Sequence, residues 1–325
     1  MEKKKEENIT VHLAMLAILL LALLTIFVHF NVISCGTIHP FVCDAYYRGY
    51  EMITGKSAPI VLIVFGSDGM GNPEYLEQTL RSSKFSARVS LESIERISLP
   101  ELREHQLVIV ERARKICTDD LQIFAEYVNT GGKLIWIGDA GTEPCENDLL
   151  LKESERKAVE SEKTIGPWAR KEGTKQVSFD IMLGVNYKEN YCNLVQCTLP
   201  QYIGNFDFVN TDHKITYGLG QGLPFYSDFS IVETNADAFQ SSLAFMDHGS
   251  DLIADSNSNA PNAEKKNFGK SFPAIVSSGV GGRVVYYAFP PEYFVSEEMP
   301  IDPKTGTRIA YWGLIENMYY GLLYN

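Results

Sequence analysis

The chain has 325 residues, 45% of them hydrophobic, and a formal charge of −12 with six cysteines. That suffices for one large packed domain or two small ones. The acidic balance excludes the basic surface that a phosphate backbone demands, so no nucleic-acid partner is expected, and six cysteines are too few for a fold built on disulfides.

Residues 1–10 form a charged tail that contains Lys3, Lys4 and Lys5. Residues 11–34 follow as 24 positions without Asp, Glu, Lys or Arg. At about 1.5 Å per residue, a helix of that length spans a hydrocarbon core of about 30 Å. His12 and His29 fall near its two ends, at the depth of the polar interface. A cleaved signal peptide has a shorter apolar run, about 7–15 residues, with small residues at the cut. Val32-Ile33-Ser34-Cys35 resembles a lipoprotein cleavage box only loosely. The segment therefore reads as an uncleaved single-pass anchor, with its lysine-rich tail cytoplasmic and the main domain extracytoplasmic. It has no G-x-x-x-G, so a tight helix dimer is not indicated. Residues 35–58 read as a juxtamembrane linker in which Phe41, Tyr46, Tyr47 and Tyr50 suit either the membrane interface or the surface of the domain.

Residues 59–325 read as an α/β domain. Pro59 to Phe65 is a continuous apolar, β-branched run, the pattern of a strand covered on both faces. It ends in the glycine-rich turn Gly66-Ser67-Asp68-Gly69-Met70-Gly71-Asn72, and Pro73 opens a helix to about Ser82. The glycine order differs from G-x-G-x-x-G, and no acidic residue closes a clear second strand at the right distance, so the turn reads as a positive-φ device and not as a dinucleotide loop. Arg88 to Ile97 is a weaker strand and Leu99 to Glu104 a helical turn. Leu107 to Val110 is a second buried strand that ends at Glu111. Thr118 is placed as the cap of a helix through Asn129, with Asp119 and Asp120 in its first turn and Gly131-Gly132 ending it. Leu134 to Ile137 is the third buried strand. It breaks at Gly138 into Asp139-Ala140-Gly141, a turn of the kind that lifts one side chain above the edge of a parallel sheet.

Beyond Gly141 the pattern loosens. Asn147 to Lys163 reads as a solvated helix and Lys171 to Asn210 as irregular. Ser241 to Phe245 and Ile253 read as short apolar patches, and Asp255 to Lys270 as a polar loop. Ala274 to Ser277 and Arg283 to Phe289 read as strands joined at Gly281-Gly282. Ile309 to Leu323 closes the chain as an aromatic-rich helix.

An extracytoplasmic domain permits disulfides. Local pairing, Cys35–Cys43, Cys117–Cys145 and Cys192–Cys197, is the first choice among the fifteen connectivities that six cysteines allow. A zinc site lacks both C-x-x-C spacing and supporting histidines. Asp68, Glu111, Asp139, Glu143 and Glu292 each follow a strand or its turn, at the edge where open parallel sheets bind ligands. Gathered there, they would suit Ca²⁺ or Mg²⁺ or an acid/base pair acting on a sugar, although no resident metal or cofactor is expected. Trp168 is a sugar-stacking candidate, whereas Trp136 reads as core. His213 reads as a turn or cap residue and His248 as a surface residue. Tyr191, Tyr202 and Phe206 line a binding face or fill a satellite core.

Three segments carry a resemblance: Y-V-N-T-G-G-K-L-I-W-I-G-D-A-G from Tyr127, H-K-I-T-Y-G-L from His213, and G-G-R-V-V-Y-Y-A-F-P-P-E from Gly281. Together they resemble the class I glutamine amidotransferase-like fold, in its trehalose-utilisation-like branch. The resemblance implies a mostly parallel, flavodoxin-like sheet flanked by helices. It also implies lost chemistry. Asp139 stands where the family has its nucleophilic cysteine, and Pro290 stands where F-H-P-E has its histidine, leaving Glu292. A carboxylate without a neighbouring base does not replace a thiolate and imidazole. The expected function is thus a catalytically inactive, membrane-anchored domain that binds a protein partner or a glycan. The alternatives are a carboxylate- or metal-dependent hydrolase acting on an extracytoplasmic sugar, and a structural envelope component.

Overall fold

The computed structural model describes residues 60–323, without 83–86, 147, 149–166, 173–174, 196, 256–264 and 280, together with His12, Met15, Leu16, Leu19, Leu20 and Leu23. The chain divides into two units, Met1–Ala58 with Gln78–Arg88, and Pro59–Glu77 with Val89–Asn325. In the first, the described positions from His12 to Leu23 are helical and exposed. Among the described residues no helix is long and apolar enough to cross a membrane. Most of the expected span 11–34, the linker 35–58 and the Cys35–Cys43 pair lie outside those residues.

From Ile60 the chain follows the expected alternation at first. In order come β1 (Ile60–Phe65), α1 (Pro73–Arg81), β2 (Arg88–Ser93), α2 (Leu99–Glu104), β3 (Leu107–Glu111), α3 (Thr118–Asn129) and β4 (Leu134–Ile137). Then come β5 (Ala169–Glu172), β6 (Lys175–Ser178), α4 (Phe179–Leu183), β7 (Val185–Asn190), α5 (Tyr191–Leu194), β8 (Gly204–Phe208), β9 (Pro224–Phe225) and β10 (Ser230–Thr234). The chain closes with β11 (Gln240–Asp247), β12 (Ile253–Asp255), β13 (Lys265–Asn267), β14 (Ser271–Ser278), β15 (Val284–Tyr287) and α6 (Trp312–Leu323). Nine strands form the main sheet in the order β2-β1-β3-β4-β15-β14-β11-β8-β9. β3 lies parallel to β1 and β4, and β15 parallel to β4.

The sheet departs from the expected parallel pattern beyond β15. β14 runs antiparallel to β15, β11 to β14, β8 to β11 and β9 to β8. The sheet is therefore mixed, half parallel and half antiparallel. The stretch expected to be irregular, 171–210, holds most of β5 and β6 together with α4, β7, α5 and β8, and the 241–245 patch is the centre of the eight-residue β11. Of these, β8 alternates, burying Gly204, Phe206 and Phe208 and leaving Asn205 and Asp207 toward solvent, as antiparallel strands with one solvated side do. The anticipated helix 147–163 lies outside the described residues apart from Asp148.

The core sits on both faces of the parallel half. Leu62, Val108, Val110, Leu134 and Trp136 join Leu121, Phe124 and Val128 of α3 and Tyr286 of β15 in one cluster. A second, aromatic cluster packs Phe206 against Phe225, Phe289 and Phe294, so Phe206 is core and not a binding face. Tyr191 is likewise buried, stacked on Phe229, while Tyr202 is exposed. His213 takes the expected turn role, its Nδ1 accepting from Ile215 N. His248 is half-buried, with Nε2 beside the Tyr191 hydroxyl.

The two disulfides within the described residues are the local ones, Cys117–Cys145 and Cys192–Cys197. The cap of α3 is a correction. Thr118 is the first helical residue and does not cap the helix itself. Its N–H and its hydroxyl both donate to Asp148 Oδ2, at 2.9 and 2.8 Å. A carboxylate thirty residues downstream thus fills the orphan position at the positive end of the helix, and the Cys117–Cys145 bond brings that segment within reach.

Candidate functional site

Asp139 sits at the tip of the β4 turn. Gly138 has φ +60°, and a Cβ added there would stand 3.0 Å from the Met70 side chain. Only glycine fits that combination of backbone and crowding. Around the turn the backbone is wired to its surroundings. Gly138 N donates to Tyr287 O, Gly141 N donates to Ala113 O, and Ala140 O accepts from the indoles of both Trp136 and Trp168.

The raised side chain is closed in. Asp139 is fully buried. Its Oδ1 accepts from Met70 N at 2.8 Å, and its Oδ2 accepts from Arg114 Nε at 2.7 Å and Asn190 Nδ2 at 2.8 Å. Asn190 in turn accepts from Ser230 and Tyr187. A carboxylate held by three donors, one of them a guanidinium, is a fixed anchor. The loop 66–72 after β1 is one of the elements it anchors. Arg114, Asn190 and Ser230 are absent from the sequence-based candidates. Arg114 alone carried a signal, since it lies three residues past the end of β3; Asn190 ends a strand that the composition disguised as loop.

The other expected carboxylates divide. Glu111 and Glu292 meet, both fully buried, and both oxygens of Glu111 and Oε2 of Glu292 have no hydrogen-bond partner among the described residues. Glu292 Oε1 accepts from Asn72 N at 2.8 Å, so the loop that Asp139 holds through Met70 is held a second time through Asn72. The Asn72 side chain caps α1 by accepting from Tyr75 N. Asp68 is half-buried and contributes its carbonyl to Arg114 N. Glu143 is exposed; its backbone bridges to Lys115, and its carboxylate favours the charged form of Arg114. Pro290 immediately precedes the short 3₁₀ turn Pro291–Val295 that carries Glu292. Trp168 is 1% exposed and packs edge-on against Tyr187 and Tyr286. It has no open face for a sugar, because its indole is spent on the β4 turn. Among the described residues no group of three or more His, Cys, Asp or Glu is placed to hold a metal ion.

Burial sets the electrostatics. It pushes the Glu111 carboxyl well above the usual range, with the neighbouring Glu292 adding to the rise. Burial likewise raises Glu292 to about 7 and Asp228, next to the Asp139 site, to about 6. The folded protein thus binds these protons more tightly than the unfolded chain does. Their contribution to stability is complete below the unfolded carboxylate range and is lost as pH climbs through 6 and 7. The urea midpoint is therefore expected to be higher at pH 5 than at pH 8, and a midpoint that rises over that interval would contradict the burial assignment.

The chain matches no protein-family description and no curated protein by sequence. Among solved structures it is similar to a ThuA-like protein from Bacteroides uniformis, at 13% identity over 82% of this chain and 93% of that one, with a TM-score of 0.48. It is similar to a glutamine amidotransferase from Thermotoga maritima, at 11% identity over 73% of this chain and 77% of that one, with a TM-score of 0.38. It is also similar to Gan42B, a GH42 β-galactosidase from G. stearothermophilus, at 13% identity over 76% of this chain and a TM-score of 0.42. There the chain spans 30% of the length of the other protein.

Proposed function

We propose that the chain is a membrane-anchored, non-catalytic α/β domain that binds a protein partner or a glycan outside the cytoplasm. The observation that carries the proposal is the state of Asp139. The residue at the tip of the turn is buried and both its oxygens are taken by donors. A nucleophile needs an accessible lone pair; both Asp139 oxygens are engaged by donors, and Pro290 has no proton to exchange. Glu111 and Glu292 do not substitute for them. Carboxylates that touch each other in a dry site leave no room for the sugar that a glycosidase pair must flank. The extracytoplasmic placement rests on the uncharged run 11–34 behind three lysines and on two disulfides, which persist in oxidising compartments.

Three measurements test the reading. Purified full-length protein is expected to hydrolyse neither glutamine nor aryl glycosides above the buffer rate; turnover that Asp139→Asn or Glu292→Gln abolishes would overturn the non-catalytic assignment. Protease added outside intact cells is expected to digest the domain while a tag on residues 1–10 survives, and the reverse pattern would overturn the topology. A protein that crosslinks in its native membrane only as a lone monomer, and binds no glycan, would count against the binding role.

A further inference from the structure

Glu111 ends β3 with a carboxyl group that the binding role does not use. It is fully buried, neither of its oxygens has a hydrogen-bond partner among the described residues, and it faces the Glu292 carboxyl, whose Oε2 is likewise unpartnered. Two carboxylates in contact in a low-dielectric site do not both ionise, so a hydrogen bond between them requires a proton. The surrounding charges offer little compensation. Arg112, just beyond β3, favours the ionised form of Glu111, while Glu74 of α1 opposes it. Tyr293 lies within range of both glutamates and of Glu298.

The pair also bears on the loop 66–72. Asn72 N donates to Glu292 Oε1, and Gly71 lies over Glu111 so closely that an added Cβ would stand 2.6 Å from Oε2. Gly69 and Gly71 both have φ +113°, a backbone that glycine adopts freely and a residue with a side chain does not. The loop covers the carboxyl ends of the parallel strands, the edge where open α/β sheets take ligands.

We propose that Glu111 and Glu292 form a proton-operated clasp on the loop 66–72: one shared proton keeps the loop on the sheet edge, and loss of that proton lets it lift. Glu292 has the Asn72 amide and the protonated Glu111 as donors and carries the first negative charge. Glu111 has no other donor and keeps the proton, donating its O–H to Glu292. When hydroxide removes that proton, two charged carboxylates face each other under the loop, and separating them breaks the Glu292–Asn72 tie. Burial raises both groups, Glu292 to about 7 and Glu111 well above the usual range, so the clasp is closed at neutral pH and opens above it.

Amide hydrogen exchange of the full-length protein, corrected for the intrinsic rate at each pH, reads the clasp at Met70, Gly71 and Asn72. Protection is expected to fall by about tenfold or more from pH 6 to pH 9, the equivalent of about one pH unit of differential proton binding. Glu111→Gln donates a carboxamide N–H to Glu292 without titrating, so its protection is expected to stay flat over the same range. If Glu111→Gln does not fold, Glu292→Gln supplies the same test from the other side, since its carboxamide still accepts from Asn72 and donates to Glu111. Equal wild-type protection at both pH values would overturn the proposal, as would a variant that loses protection as the wild type does. Recovery of wild-type protection at pH 9 on adding Ca²⁺ would also overturn it, by showing that a cation, and not a proton, fills the pair.

Discussion

Asp139→Ala is expected to destabilise the domain by about 3–5 kcal/mol, the cost of removing one partner from a buried ion pair. The substitution leaves Met70 N, Arg114 Nε and Asn190 Nδ2 without an acceptor. The Arg114 guanidinium, one-third exposed, partly escapes to water, but the Asn190 amide and the Met70 N–H are buried and do not. Asp139→Asn retains one oxygen for Met70 N but turns an N–H₂ group toward two donors, so it is expected to recover only part of the loss. Urea denaturation at neutral pH reads both. A loss below about 1 kcal/mol for Asp139→Ala would mean that the three donors find water, and that the residue is not the anchor its geometry describes. A reactive residue behaves differently, since removing it commonly leaves stability unchanged or raised. The stability assay therefore separates an anchor from a nucleophile without a substrate in hand.

The parallel half of the sheet was legible because its strands are covered on both faces and so read as unbroken apolar runs. β1, β3 and β4 are buried along nearly their whole length, Pro73 opens α1, and Gly131-Gly132 follow α3. The antiparallel half hid itself. β7 reads V-N-Y-K-E-N, with only its ends buried, and β11 slips register around Ala244, which breaks the period-two alternation by which a strand is recognised. The candidate site was legible residue by residue but not as an arrangement. Strand-end position picked out Glu111, Asp139 and Glu292, which the topology brings to one edge at the ends of β3 and β4 and the turn after β15. It did not separate them from Glu143, which the same rule selects and which lies exposed. Arg114 and Asn190 reach Asp139 across 25 and 51 positions of sequence, and Trp168 turned inward because the β4 turn offers its indole a carbonyl. Such pairings are set by how segments converge, which local pattern does not encode.

Arg170 is the second residue whose loss should be severe, and it was invisible for the same reason. Its guanidinium is buried and donates to Ile116 O at 2.6 Å, Gly141 O at 2.9 Å, Glu143 O at 3.2 Å and, through Nε, Pro167 O at 3.0 Å. Asp148, the cap of α3, lies 3.7 Å away and is also buried. Burial lowers the guanidinium to about 10, so it stays charged at neutral pH. One side chain thus closes the carbonyls of the segment after β3 and of the β4 turn, while balancing the carboxylate that caps the intervening helix. Arg170→Ala is expected to cost about 3–5 kcal/mol. Arg170→Lys is expected to recover little, because a single ammonium does not reproduce the planar fork. The Cys117–Cys145 bond constrains the same segment across 28 positions, so the two devices are expected to be non-additive. Replacing both cysteines by alanine should destabilise the Arg170→Ala protein by less than it destabilises the wild type, by about 0.5 kcal/mol or more. Equal losses in the two backgrounds would mean that the arginine and the disulfide hold independent parts of the fold, and that the β4 turn does not depend on the segment they share.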